Sequence, residues 1–350
     1  MIDWIIAERI AAYVAGSGDA ASPQVDLQEL AVESRRRVIE YTGLHPVREL
    51  PDPEGVSRRE WVASNIRSTR ALLDPVMRRA GRGLGPAKPA IQLVVGGLLS
   101  AEVGLVVGYL GQRVLGQYEL VLLDEAADDH PPRLLFVLPN LGQALASFQA
   151  DEREFVTWVT LHEVTHAVQF AGVPWLHGHL AGLVQQLLRS AEVRLDTSRK
   201  RSLPSRQELR RMGGALREGD LIGVVMNRTE RETVDRVQAV MAVIEGHAEH
   251  VMDAVAPDLI PSLPRLRRAL NARRRTQSRL SSLVGRLLGL ELKLRQYERG
   301  KQFCDAIVSQ AGEGALRFVF SGPEALPSLA EIEDPGAWLA RTAPARAAAV

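Results

Sequence analysis

Residues 159–170 read VTLHEVTHAVQF, with two histidines four apart and a glutamate directly after the first. His162, Glu163 and His166 thus form the pattern H-E-x-x-H. On an α-helix, positions i and i+4 differ by about 40° in azimuth and about 6 Å in rise, so both imidazoles reach one ion at roughly 2.0–2.1 Å. Glu163 falls at the adjacent edge of that face, where it can take a proton from a metal-bound water as general base. The chemistry this predicts is attack of an activated water on a carbonyl, with Zn2+ as the cofactor.

The competing interpretation is a core helix whose two histidines are satisfied by backbone carbonyls. It has to explain three polar groups on a helix whose other residues include Phe155, Val156, Trp158, Val159, Leu161, Val164, Ala167, Val168 and Phe170. A helix apolar on nearly every side is buried, and buried ionisable groups need partners, which a metal supplies.

Catalytic zinc usually takes three protein ligands and keeps a fourth position for water. One common class continues to H-E-x-x-H-x-x-G-x-x-H, and here Gln169 and Gly172 stand at the later positions, which excludes it. The other class takes a glutamate from a following helix, often with a second acid four residues on that orients a metal histidine. AVIEGHAEHVMD offers Glu245 with Glu249 at i+4, inside an apolar helix; SAEVRLD offers Glu192 with Asp196, grading into a polar loop. Burial favours Glu245 as third ligand, with Glu192 the alternative, because an acid inside an apolar helix is the harder one to leave without a partner. Glu249 is then expected to orient His162 or His166. His247 and His250 flank Glu249, His177 and His179 follow the motif helix, and Tyr297 is a weaker candidate for stabilising an oxyanion.

These residues need elements to hold them. Periodicity predicts short amphipathic helices over 1–16 and 26–42 and a longer one from Val56 to near Gly81. GRGLGPAKP then separates an N-terminal helical bundle, 1–82, from a core over 83–350, unless the two form one continuous domain. Residues 116–123 and 133–139 read as the strands of a small hairpin. Asn140 opens a helix, and Asp151 with Glu154 resembles a capping box that launches the motif helix. A helix over 233–256 carries Glu245, and another runs from about Ser281 to Ala311. The fold class is mainly α with a small β element (α+β).

The 350 residues are 46% hydrophobic, enough for a sizeable core, and 43 basic against 42 acidic side chains leave a formal charge of +1. No overall field therefore recruits nucleic acid or an anionic membrane. The one basic run, residues 265–279, has no aromatic residues for stacking and reads as a solvated helix face. Residues 91–111 are long enough to cross a bilayer, but Glu102 sits at the centre and glycines loosen the span, so a helix buried in a soluble core is expected. A single cysteine, Cys304, and no export signal point to the cytoplasm.

LHEVTHAVQF, PWL, EGHAEHVMDAV, LKLRQYERGKQF and PEALPSLAEIEDPGAW occur in this order. Together they resemble an actinobacterial family of uncharacterised zincin-like proteins, from about Asp3 to Ala340. Members are labelled hydrolases or associated with biosynthesis of a deazaflavin coenzyme. The resemblance implies a zincin-like core, and its E-G-H-A-E block, Glu245 to Glu249, is similar to the glutamate-bearing helix of aminopeptidase-type zincins. The expected protein is a cytoplasmic zinc metallohydrolase of the glutamate-ligand type, a peptidase acting on a peptide or another carbonyl-containing substrate. The alternative is a non-catalytic zincin-fold scaffold with a structural or vestigial metal site. Oligomeric state and endo- or exopeptidase action stay open.

Overall fold

The computed structural model describes residues 2–18, 20–81, 88–120, 131–198, 228–275 and 290–348, with side chains placed outside 75–81, 88–95, 191–198, 270–275, 290–297 and 348. In chain order the elements begin α1 (Trp4–Ala15), α2 (Leu27–Thr42), β1 (Pro53–Val56), α3 (Arg58–Gly81), α4 (Lys88–Gly111), β2 (Gly116–Glu119) and β3 (Arg133–Val137). There follow α5 (Leu138–Phe148), α6 (Glu152–Gly172), α7 (Pro174–Ser198), α8 (Arg228–Val255), α9 (Leu263–Arg275), α10 (Leu290–Phe318), α11 (Leu329–Glu333) and α12 (Pro335–Ala348). The chain is mainly helical around one small sheet, as its residue pattern predicts.

That sheet has three strands rather than the two of a hairpin. β2 pairs antiparallel with β3, Gly116 opposite Phe136, while β1 lies parallel on the other side, Pro53 opposite Leu134. β3 is therefore the central strand, and Leu134 to Val137 are fully buried. The side-chain period of two divides them. Leu134 and Phe136 face the core built with α2, α6 and α8, and Leu135 and Val137 face the one built with α1, α3 and α4.

α6 is buried on almost every side, which its composition requires. The Asp151 carboxylate accepts the Glu154 N–H at 3.0 Å and starts the helix. Only that half of the expected capping box forms, because the Glu154 carboxylate instead accepts the Ser262 N–H at 2.9 Å. α6 packs against α2 on one side and α8 on another, with β2 along a third. A further core joins α7, α8, α10 and the C-terminal helices around Phe303, Ile307 and Trp338.

The apolar segment 91–111 lies in α4, and its described side chains, 96–111, are buried on one face only. Leu98, Leu105 and Glu102 are exposed, whereas Gly104 and Gly108 rest on α1, where a Cβ would stand 2.7 Å and 2.6 Å from the carbonyl oxygens of Ala7 and Ala11. Gly104 and Gly108 thus serve close helix packing rather than loosening the span. Among the described residues, no helix is long and apolar enough to cross a membrane. The expected joint at 82 falls at residues 82–87, outside the described ones; α1 packs on α4 and α2 on α6 across it. Asn140 does not open a helix: α5 begins at Leu138, and the buried Asn140 amide donates to Gly111 O (2.9 Å) and Val114 O (2.7 Å) while accepting from Arg58 Nε (2.6 Å).

Candidate metal centre

α6 and α8 lie side by side, and the polar residues of each meet along the contact. One helical turn brings the rings of His162 and His166 together, Nε2 to Nε2 at 3.2 Å. From α8, the Glu245 carboxylate reaches both, with Oε2 3.7 Å from His162 Nε2 and 3.6 Å from His166 Nε2. His162 and Glu245 keep 26% and 23% of their side-chain exposure, so the group is open to solvent on one side.

These separations test whether an ion would fit. Donors at roughly 2.0–2.1 Å from a tetrahedral ion stand about 3.4 Å apart. The three atoms lie within a few tenths of an ångström of that spacing, and two imidazoles with one carboxylate are a zinc donor set. The group can hold a metal ion.

Glu163 is buried under the edge strand β2. The Tyr118 N–H donates to its Oε2 at 2.9 Å, and Gly116 leaves room for it: a Cβ there would stand 2.7 Å from Glu163 Cγ. Burial raises the Glu163 carboxyl to about 7, against the lowering effect of His166 and the Tyr118 N–H. For His166, burial opposes the charged form, but the adjoining Glu245 carboxylate outweighs it and holds the imidazole up at about 9.

The remaining candidates divide. His166 Nδ1 is taken by Gln169, at 2.9 Å to Oε1, so Glu249 does not orient that ring. His247 is buried against Phe320 and contacts Gln169; burial, with His250 and His166 nearby, pushes it down to about 3. His250 belongs to a separate polar chain. Tyr41 Oη lies 2.8 Å from His250 Nε2, and His250 Nδ1 lies 2.6 Å from Asp305 Oδ1. His179 packs edge-on to Trp175, 5.8 Å between centroids. Tyr297 on α10 and Glu192 on α7 have side chains outside the described residues.

In the basic run, Arg267 donates to Asp253 at 3.0 Å and Arg265 and Arg268 are exposed; 276–279 lie outside the described residues. Sequence reasoning took Gln169 only as the mark of an excluded class. Its position three residues after His166 on an apolar helix was the available signal of another role.

A helical chain with two histidines and a glutamate converging from neighbouring helices defines a zincin-like metal site in outline. The chain belongs to the zincin-like metallopeptidase family, whose model matches residues 2–339. It is also similar to a crystal structure from Chloroflexus aurantiacus described as a "putative hydrolase with a novel fold", at 29% identity and a TM-score of 0.69, covering 98% of this chain and 99% of that one. No curated protein matches the chain.

Proposed function

We propose that the protein is a zinc-dependent hydrolase, a peptidase, in which His162, His166 and Glu245 hold the ion and Glu163 is the general base. The observation that carries this is the near-tetrahedral spacing of the three donor atoms, beside the buried Glu163 carboxylate on the helix that bears both histidines. When bound, the ion polarises a carbonyl and makes a water molecule more acidic. The chain's residues do the rest. Glu163, fixed by the Tyr118 N–H, accepts a proton from the attacking water and can return it to the leaving group. Gly116 keeps the space that carboxylate occupies.

The substrate class follows from the family, a peptide or another carbonyl-containing molecule, and the open side of the cluster is where it enters. Cytoplasmic placement suits the single buried thiol of Cys304. The deazaflavin label carried by the resemblance adds no residue to this site.

Metal analysis of the purified protein, followed by a peptide-library cleavage assay with and without chelator, tests the proposal. Stoichiometric zinc with chelator-sensitive cleavage supports it. Stoichiometric zinc with no cleavage of any peptide, in wild type and after zinc reloading alike, shifts the reading to a zincin-fold scaffold.

A further inference from the structure

We propose that Gln169 is a positioning residue for the metal site: its amide fixes which nitrogen of His166 faces the donor cluster and ties that choice to the helix carrying Glu245. What the site holds rests on the metallohydrolase reading; how His166 is held rests on the hydrogen-bond pattern.

The amide has one consistent orientation. Gln169 is fully buried, and its Nε2 lies 2.9 Å from the carbonyl oxygen of Ile244. A carbonyl oxygen only accepts, so the atom facing it must be the NH2 group. Oε1 is thereby turned to His166 Nδ1, 2.9 Å away, and because an amide oxygen also only accepts, Nδ1 must carry the proton. The other ring nitrogen, Nε2, is left to face Glu245 and His162. The second N–H of Gln169 meets His247 Nδ1 at 2.9 Å, which accepts it.

A flipped amide would set oxygen against the oxygen of Ile244 and turn its N–H toward His166 Nδ1, which would drive the ring proton onto the nitrogen facing the donor cluster. Gln169 is fully buried, so water does not relieve the oxygen–oxygen contact. The same contacts join two helices: His166 and Gln169 stand on α6, while Ile244 and His247 stand on α8 and bracket Glu245. A single buried amide thus selects the His166 nitrogen and holds the two ligand-bearing helices in register.

The test uses the full-length chain as wild type, Gln169→Leu and Gln169→Glu, with zinc affinity measured by chelator competition. It adds 1H–15N spectra of the zinc-loaded, histidine-labelled proteins. In wild type, His166 should show an exchange-protected Nδ1–H and coordination through Nε2. Gln169→Leu should lose that protection and bind zinc about 10–100-fold more weakly. Gln169→Glu keeps an acceptor for Nδ1–H, so it should keep the protected proton and recover part of the affinity, which a loss of packing alone would not produce.

Coordination through His166 Nδ1 in wild type overturns the assignment, as does Gln169→Leu binding zinc within about twofold of wild type, well inside the usual effect of such residues. If Gln169→Leu does not fold, the wild-type spectrum and Gln169→Glu decide. A wild-type chain that takes up no zinc at all instead overturns the metallohydrolase reading.

Discussion

Gly246 and Gly300 meet backbone to backbone where α8 crosses α10, one residue from the Glu245 carboxylate. A Cβ at Gly246 would land on the carbonyl of Gly300, and one at Gly300 on the carbonyl of Ala242. Helix propensity alone favours Gly→Ala by about 1 kcal/mol. Overpacking between rigid backbones costs about 1–3 kcal/mol or more, and here it wins. Gly246→Ala and Gly300→Ala should each lower the denaturation midpoint, and Gly246→Ala should also weaken zinc binding by moving Glu245. A midpoint raised by either substitution would show that the helices can part without loss.

Glu163→Gln should leave the metal in place and remove hydrolysis. It keeps the shape of the side chain and the donors His162, His166 and Glu245, but loses the proton acceptor, an effect of at least about 10²–10⁴-fold in rate. Zinc content and cleavage rate measured on the same sample check both halves. Full activity would refute the base assignment.

Gly116→Ala offers a gentler perturbation of the same group. The added methyl meets Glu163 Cγ, a side-chain atom that can yield, so the carboxylate should swing away from the Tyr118 N–H. Turnover should fall while zinc affinity holds. Unchanged turnover would mean that the Tyr118 contact does not position the base.

Burial sets the titration of Glu163. In the metal-free protein the carboxyl should titrate near 7, because burial disfavours its charged form. A divalent cation among His162, His166 and Glu245 favours the carboxylate and should lower that value. Carboxyl 13C shifts followed against pH, before and after zinc, check the direction. An ordinary carboxylate titration in the metal-free protein would place Glu163 in water.

The C-terminal clamp gives a stability test independent of the site. Burial opposes ionisation of Glu331, but Arg341 and the Ser328 N–H and hydroxyl more than offset it, so its folded value lies below the ordinary 4.5. The stabilisation is fully present above the unfolded value and is lost as pH falls through the lower folded one. Denaturation of wild type and Glu331→Gln across that acidic range should converge, from a difference on the order of 1 kcal/mol at neutral pH. A difference independent of pH would assign the clamp to something other than the ionised carboxylate.

Much of the candidate metal site, the His162–His166–Glu245 cluster, was legible because its features are local or costly to bury. His162 and His166 announce themselves by helical spacing, and Glu245 by an acid set among Val243, Ile244 and Ala248. The strands β2 and β3 show as runs of β-formers. β1 did not show, since Pro-Glu-Gly-Val has neither alternation nor β-branched residues at its start, and only pairing with the buried β3 makes it a strand. Gln169 showed only as a polar residue on an apolar helix; its role depends on Ile244 and His247, which arrive from a helix far along the chain.

The parallel pairing of β1 with β3 has a kinetic side. An antiparallel hairpin such as β2–β3 can close on its own, but Pro53 must wait for Leu134 before the sheet has its other edge. Such long-range closure is slow relative to helix formation. During synthesis the first helices would emerge well before the strand that receives β1, and the motif helix later still. The edge that β1 needs is thus made only with the middle of the chain, so the order of emergence, and not only the final contacts, bears on how this sheet is completed.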